Sequence, residues 1–566
     1  MPENRTKPRA DSPTVLLHWT LFLTLLAGLA TGFRISADRL DGGWAAVLAG
    51  VLPQGDVFRW HVWAGFAVSL VAVAYVVFLV VAGVRRRVAF DRTALARLAR
   101  GSTRARLTSL NRLVYWLGFA LLAIAMLSGV AHYLMPPFVP QETLLLVHRA
   151  SAWGIVVYIL VHTTTQALAG GVDGLLKILR PRRRHGLAAL AATGVAGAAG
   201  AAIWSLDRAS LPTLDVAAVA APRIELDGRL DEPVWRTAEP VAVQTSRGVN
   251  HDGGETLVEV RAVHDGETLY VAFEWPDATR SQKHLPLVKD ENGWKVLHEG
   301  YGHQDENVFY EDKFAVMWSE EGRNAANGTV HLGARPLDGR PGPSGGRGLH
   351  YTTDGGIVDV WHWKSVRTGS PLARRMDDNY FGPPMTPDPK KSRYTGGYTK
   401  DPSDGGGYTM NWESFEGGVV RPKALPADPA TLERLGDVDF DPEVGDAGEF
   451  WLAEAETVSY EPELDDYPVG TVMPSVIVEG PHEGDRGDVE ATATWRDGRW
   501  TIEARRALDT GSEFDVAFAP EEPLHLWLAA FDHAQTRHTY HLRPVRVALE
   551  PTGEGRRPEP YRQASR

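Results

Sequence analysis

Cysteine is missing from all 566 residues. Without a thiol the chain can form no disulfide, hold no thiolate-ligated iron–sulfur cluster or zinc ribbon, and attach no c-type haem covalently. Any redox group must be held by His, Met, Lys or carboxylate. Acid is also scarce, but only in one half. Residues 1–206 carry 8 Asp and Glu against 21 Lys and Arg, whereas the remainder carries 63 against 38. The chain is too long for one ordinary domain, and the charge split predicts a basic, apolar membrane domain joined to an acidic soluble one. The acidic half lacks the basic face that nucleic acid requires, so no nucleic-acid partner is expected. It also lacks a nucleotide, flavin or molybdenum motif, which ranks a catalytic reductase domain last.

What is present in the first half is five apolar runs, at about residues 14–33, 57–84, 110–134, 143–169 and 186–206. Each suits a span of about 20 residues. The fifth, GLAALAATGVAGAAGAAIWSL, is rich in Ala and Gly and reads as a plain anchor. Arginine is dense between the second and third runs (Arg85, Arg86, Arg87, Arg92, Arg97, Arg100, Arg104, Arg106, Arg112) and between the fourth and fifth (Lys177, Arg180, Arg182, Arg183, Arg184). The positive-inside rule then puts the N-terminus in the cytoplasm and everything after Leu206 outside, in the periplasm of a cell with an outer membrane. The first run could instead be a cleaved signal peptide. His18 within it and the four runs that follow favour a span.

Histidines punctuate these runs. His148 and His162 lie 14 residues apart in VHRASAWGIVVYILVHT. That is nearly four turns at ~100° per residue, so both share one face about 21 Å apart along the axis. His18 (LLHW) sits near the cytoplasmic start of the first run and His61 (FRWHVWAG) near the outer start of the second. Depth pairs His61 with His148 and His18 with His162. Ionisable side chains inside a membrane are costly and mark function, and two bis-histidine sites at two depths are what two b-type haems require. His132 has no partner at its depth and reads as interfacial.

LLHW, FRWHVWAG and HRASAWGIVVYILVH resemble the bacterial cytochrome b561 group, which includes the di-haem membrane subunits of formate dehydrogenase and nickel–iron hydrogenase. The resemblance covers about residues 12–180. It implies that His61 and His148 hold an outer haem b, that His18 and His162 hold an inner one, and that quinone binds near the inner haem.

Beyond a tail that reads as a linker (208–221), short runs of period-two alternation bounded by Gly and Asp predict strands. Examples are TLVEVRAVHDGETLYVAFEW, KFAVMWS and ATATWRDGRWTIEARRAL. The expected fold is α + β multidomain. A four-helix transmembrane haem bundle (1–184) and a fifth anchoring helix (185–207) precede an antiparallel β-sandwich (222–550) and a polar tail (551–566). A Gly-, Pro- and Tyr-dense insertion at about 369–448 is expected to be ordered loops. The carboxylates of LDGRLDEPVW are expected to form turns. His298 and His303 are expected to be surface or loop residues, and a metal site built from them with Asp305 and Glu306 has no further support in the sequence.

IELDGRLDEPVW and LYVAFEWPD resemble the sandwich of family 9 carbohydrate-binding modules and related cytochrome domains. DKFAVMWS, DVWHWKSVRTG and TRHTYHLRPV resemble the haem-binding subunit of ethylbenzene dehydrogenase over about residues 222–550. That resemblance implies one further haem b, held by a Met on a strand, here Met317, and a late Lys. His538 stands where that lysine would be, which departs from the pattern. His362, Lys364 and His541 also stay open for the second position.

Together these imply a b-type cytochrome of the inner membrane, passing electrons between quinone and an extracytoplasmic redox protein through three haems. A quinol-oxidising subunit of a respiratory oxidoreductase is the enzymatic role it would suit. The alternative is a di-haem cytochrome tethering a haem-free carbohydrate- or ligand-binding sensor.

Overall fold

The computed structural model describes residues 8–37, 47–48, 50–89, 92–320, 330–333, 337–342, 348–389, 393–413, 419–520 and 522–552, apart from the side chains of residues 104 and 303. The chain divides into two units, Met1–Ser210 and Leu211–Arg566.

The first unit is helical: α1 (Ser12–Ala37), α2 (Val57–Val81), α3 (Arg92–Arg100), α4 (Thr103–Leu134), α5 (Gln141–Leu176) and α6 (Gly186–Ala209). Five of them, all but α3, are long and apolar enough to cross a membrane. The protein is an integral membrane protein. α1 packs on α2 and α4 on α5, as connections between successive spans dictate. α6 lies against α2 through Ala188, Ala192, Ala196 and Gly200, a small residue every four positions. A Cβ added to Gly200 would lie 3.1 Å from Leu70. Between apolar helices in lipid, close backbone approach replaces the hydrophobic drive, which explains the Ala and Gly content of this helix.

The basic segments gather at one end of the bundle. Ala10–Asp11 pairs in parallel with Pro181–Arg182, Arg87 bonds Asp11 at 2.6 Å, and the Trp19 indole donates to the Ile178 carbonyl at 3.2 Å. α5 breaks at Gly171, whose φ of 60° suits glycine alone.

Among the described residues the second unit is built on a twelve-stranded sheet. Its strands are β1 (Thr213–Ala218), β2 (Val241–Ser246), β3 (Glu255–His264), β4 (Thr268–Pro276), β5 (Lys313–Ser319), β6 (Val358–Lys364), β7 (Asp377–Phe381), β8 (Tyr398–Lys400), β9 (Glu490–Arg496), β10 (Arg499–Ala507), β11 (Leu524–Phe531) and β12 (Val545–Leu549). Their order is β8-β7-β6-β5-β11-β12-β1-β3-β4-β10-β9, with β2 pairing β3 at Glu255–Val260 beside β1. Alternation sends Phe314, Val316 and Trp318 of β5, and Trp361 and Trp363 of β6, into one core with Trp275 and Trp500.

Three expectations need correction. The sandwich is mainly but not wholly antiparallel, since β12–β1 and β1–β3 are parallel joints. The reason lies in the segment expected as a linker. Thr213–Ala218 buries Leu214 and Val216 and serves as the strand shared by both sheets. The insertion is not loops alone. β7 and β8 extend the main sheet, and Gly405–Met410 pairs with Val476–Glu483. Its Gly and Tyr content hid strands too short to alternate visibly. The LDGRLDEPVW carboxylates do form turns. Asp227 accepts from the Arg229 N–H at 2.9 Å, and Glu503 on β10 clamps the same turn through the N–H groups of Gly228 (2.8 Å) and Asp227 (3.1 Å) and the Trp235 indole (2.8 Å).

Candidate electron-transfer centres

The helices bring the four membrane histidines together in the pairs that depth implied. The His61 and His148 rings have centroids 6.0 Å apart, and those of His18 and His162 are 6.4 Å apart. Imidazole nitrogens bond metals at about 2 Å, so two rings on opposite sides of one metal have centroids about 6 Å apart. Both spacings fit a shared iron.

The His61–His148 pair, expected to be the outer one, is braced by one device used twice. On α1, the Gly28 carbonyl accepts from His61 Nδ1 at 3.1 Å, with Thr31 Oγ1 at 3.0 Å. On α4, the Ala125 carbonyl accepts from His148 Nδ1 at 3.0 Å, with Ser128 Oγ at 3.3 Å. Both hydroxyls donate to their own helix, to Ala27 and Ile124 respectively, at 2.7 Å. Holding Nδ1–H in this way fixes the tautomer and leaves Nε2 as the nitrogen that could bind a metal. The next residue on each helix is glycine. A Cβ on Gly32 or Gly129 would lie 3.0 Å from the Cε1 atom of its histidine, so glycine makes room for the ring. LLAGLATG (25–32) and LAIAMLSG (122–129) are therefore one repeated motif. Its Gly/Ala-x-x-Thr/Ser-Gly signal stands in the sequence, but a search that follows histidines alone misses it.

The inner pair lacks that symmetry. The offset that carries Gly32 onto Gly129 carries His18 onto Tyr115, and the one that carries His61 onto His148 carries Tyr75 onto His162. Tyrosine thus stands at the two positions where a full repeat would have histidine. The Tyr115 and Tyr158 rings lie 5.3 and 5.5 Å from His162, Gln166 donates to the Tyr115 hydroxyl, and His162 Nδ1 has no hydrogen-bond partner among the described residues. His132 bonds Gln141 at 3.0 Å across the α4–α5 connection, in keeping with an interfacial position.

In the β domain, Met317 pairs with Val360 on one side and Trp527 on the other, on the sheet face opposite the tryptophan core. With Val358, Phe381 and Tyr398 these form an apolar patch. His362 shares this face and stacks on Phe531 at 5.4 Å, while His538 packs on Phe531 from the loop that follows β11, at 4.7 Å. His538 Nδ1–H donates to the Thr539 carbonyl at 2.8 Å, which leaves Nε2 for a ligand. His350, absent from the sequence-based candidates, stacks on Phe381 at 4.8 Å and lies in the field of His538. It sits in a short strand outside every quoted motif, so no sequence signal marked it. Burial lowers all three imidazoles: His350 and His538 to about 4, and His362 well below its ordinary value. All three are neutral at pH 7, the form that binds metal.

Lys364 and His541 are engaged elsewhere. Lys364 is buried against the Asp377 carboxylate and reaches the Tyr408 hydroxyl at 3.4 Å. Burial brings its ammonium down to about 8, against the pull of Asp377. His541 spends both ring nitrogens on backbone, Nδ1 donating to the Arg543 carbonyl at 2.6 Å and Nε2 accepting from the Leu528 N–H at 2.9 Å. Neither nitrogen is left for iron, so His541 braces the loop. Glu306 is fully buried. It caps the Glu299 and Gly300 N–H groups at 2.6 and 2.8 Å.

Residues 232–543 match the ethylbenzene dehydrogenase family, and residues 9–180 match prokaryotic cytochrome b561. No curated protein matches the chain. Among solved structures, a family 9 carbohydrate-binding module from Caldicellulosiruptor kristjanssonii in complex with cellotriose is 9% identical. It covers 60% of this chain and 95% of its own, at a TM-score of 0.22. The same organism's family 9 module in complex with glucose is also 9% identical, with 61% and 100% covered and a TM-score of 0.22. Likeness at that level says nothing about a ligand.

Proposed function

From a chain that belongs to the ethylbenzene dehydrogenase family over residues 232–543 and to prokaryotic cytochrome b561 over residues 9–180, we propose the following. This membrane b-type cytochrome carries electrons between quinone and an extracytoplasmic redox protein through three haem sites. His61 with His148 forms the outer membrane site, His18 with His162 the inner one, and Met317 with His538 the site in the β domain. The N-terminus is cytoplasmic and the β domain periplasmic.

The observation that carries this reading is the pair of histidine couples, with ring spacings of 6.0 and 6.4 Å drawn from non-adjacent stretches of chain. Haem b supplies reversible one-electron chemistry at each site. The protein's part is to hold and tune. The Gly28 and Ala125 carbonyls orient the outer imidazoles and raise their basicity. Gly32 and Gly129 keep space for them. Met317 offers a thioether from an apolar patch, and a Met axial ligand raises potential, which favours flow outward from quinol. The acidic β half favours a basic partner, through long-range steering that salt weakens.

The test is haem content of the purified full chain, read as pyridine haemochrome per polypeptide. Three equivalents are expected. Two would mean that the β domain carries none and acts as a ligand sensor tethered to a di-haem cytochrome.

A further inference from the structure

We propose that Asp359, Asp378, Asp401 and Asp515 form a calcium site inside the β domain, separate from the face that carries Met317. Asp359 lies on β6 and Asp378 on β7, both on the core side, as their cross-strand partners Trp318 and Trp361 require. Asp401 follows β8, its N–H bonding the Asp378 carbonyl at 3.2 Å. Asp515 comes from the loop between β10 and β11. One carboxylate oxygen from each of Asp359, Asp378 and Asp515 lies within 4.8 Å of the others.

Each of these three carboxylates spends one oxygen on the protein. Asp359 Oδ2 accepts from Arg506 at 2.5 Å and the Val516 N–H at 3.2 Å, Asp378 Oδ1 from the Asn379 N–H at 3.0 Å, and Asp515 Oδ2 from the Thr510 hydroxyl at 2.6 Å. Their other oxygens are buried with no hydrogen-bond partner, and so are both oxygens of Asp401, itself only 3% exposed. Five buried carboxylate oxygens thus lack a donor, and Asp401 lies directly against Asp515. Asp359, Asp378 and Asp515 face the guanidinium of Arg506, and Asp485 adds a further negative field at Asp401. Uncompensated buried charge on that scale is not tolerated. In the absence of a cation, burial and mutual repulsion raise Asp359 to about 6, Asp401 to about 9 and Asp378 well above its usual range.

An all-oxygen, all-carboxylate set selects a hard cation. Calcium takes 6–8 oxygens in adaptable geometry, whereas magnesium keeps its waters. A cation here would tie β6, β7, the end of β8 and the β10–β11 loop together behind the Met317 face.

The experiment uses the full chain in detergent, stripped of metal by chelation. After calcium is added back and the excess dialysed away, one calcium per chain should be retained, read by elemental analysis, and millimolar calcium should raise the Tm of the metal-free protein by about 4 °C. The Asp378→Asn/Asp401→Asn double variant should lose that bound calcium and that rise. Its metal-free Tm should equal or exceed the parent's, because repulsion is relieved. An unchanged Tm and no retained calcium in the parent would overturn the site, as would a double variant that still responds. If magnesium gives the same rise, the calcium assignment fails. The rival to a cation is protonation. A metal-free Tm that falls as pH rises from about 5 to 9, with calcium adding nothing, would mean that shared protons do the work and would overturn the proposal. None of these readouts depends on haem.

Discussion

The two ends of the helical bundle, outer and inner in the proposed topology, solve one problem differently. At the outer end, two helix pairs present the same parts: a histidine, a carbonyl and hydroxyl on its Nδ1, and a glycine under its ring. At the inner end the pairing of His18 with His162 breaks the repeat, and Tyr75 and Tyr115 occupy the symmetry-related positions. A symmetric, fully bonded pair is rigid. An asymmetric pair beside Tyr115, Tyr158 and Gln166 has polar groups next to it.

The largest break in this comparison comes from the ligands. His61→Ala or His148→Ala should remove one haem equivalent and leave the inner site's spectrum intact, whereas His18→Ala or His162→Ala should do the reverse. Loss of both haems from either change would mean that the sites are not separable. In the β domain, Met317→Ala and His538→Ala should each convert a six-coordinate low-spin signal to high spin, while His541→Ala should leave the spin state unchanged and lower stability. A spin change on His362→Ala alone would move the second ligand from His538 to His362.

Next in size are the glycines. Gly32→Ala and Gly129→Ala each bring a methyl to 3.0 Å from a ring that cannot move without losing its carbonyl. Partial loss of the outer haem is expected, measured as occupancy after purification, with the inner one untouched. Smaller still is removal of the hydroxyls. Thr31→Val with Ser128→Ala should weaken outer-haem retention by about 10-fold, the lower end of what such supporting groups contribute. The smallest effect is Tyr115→Phe, which should shift the inner potential in a redox titration and leave the outer one in place.

Much of this was legible in the sequence. The five spans, the matching of four histidines by depth and the strand content of the β half all follow from periods that a chain cannot hide. A span must be apolar for its full length, and a strand must alternate. The bracing motif at 25–32 and 122–129 was also written there, but its meaning depends on which helix it faces. The short strands of the insertion and the shared strand at Thr213–Ala218 were not legible, because segments of a few residues carry too little alternation to separate from loop. His350 gave no signal, since a single histidine in a short strand has no pattern to join.

By itself the sequence determined that no thiol chemistry occurs, that imidazoles sit at two depths of an apolar bundle, and that an acidic β domain follows. Hydropathy and periodicity are local quantities, and local order fixes them. Only tertiary structure decided which carbonyls hold the histidines, which histidines meet the Met317 face, and that aspartates from two strands and a distant loop come within 4.8 Å of one another. Such contacts join residues far apart in the chain, and packing alone selects them.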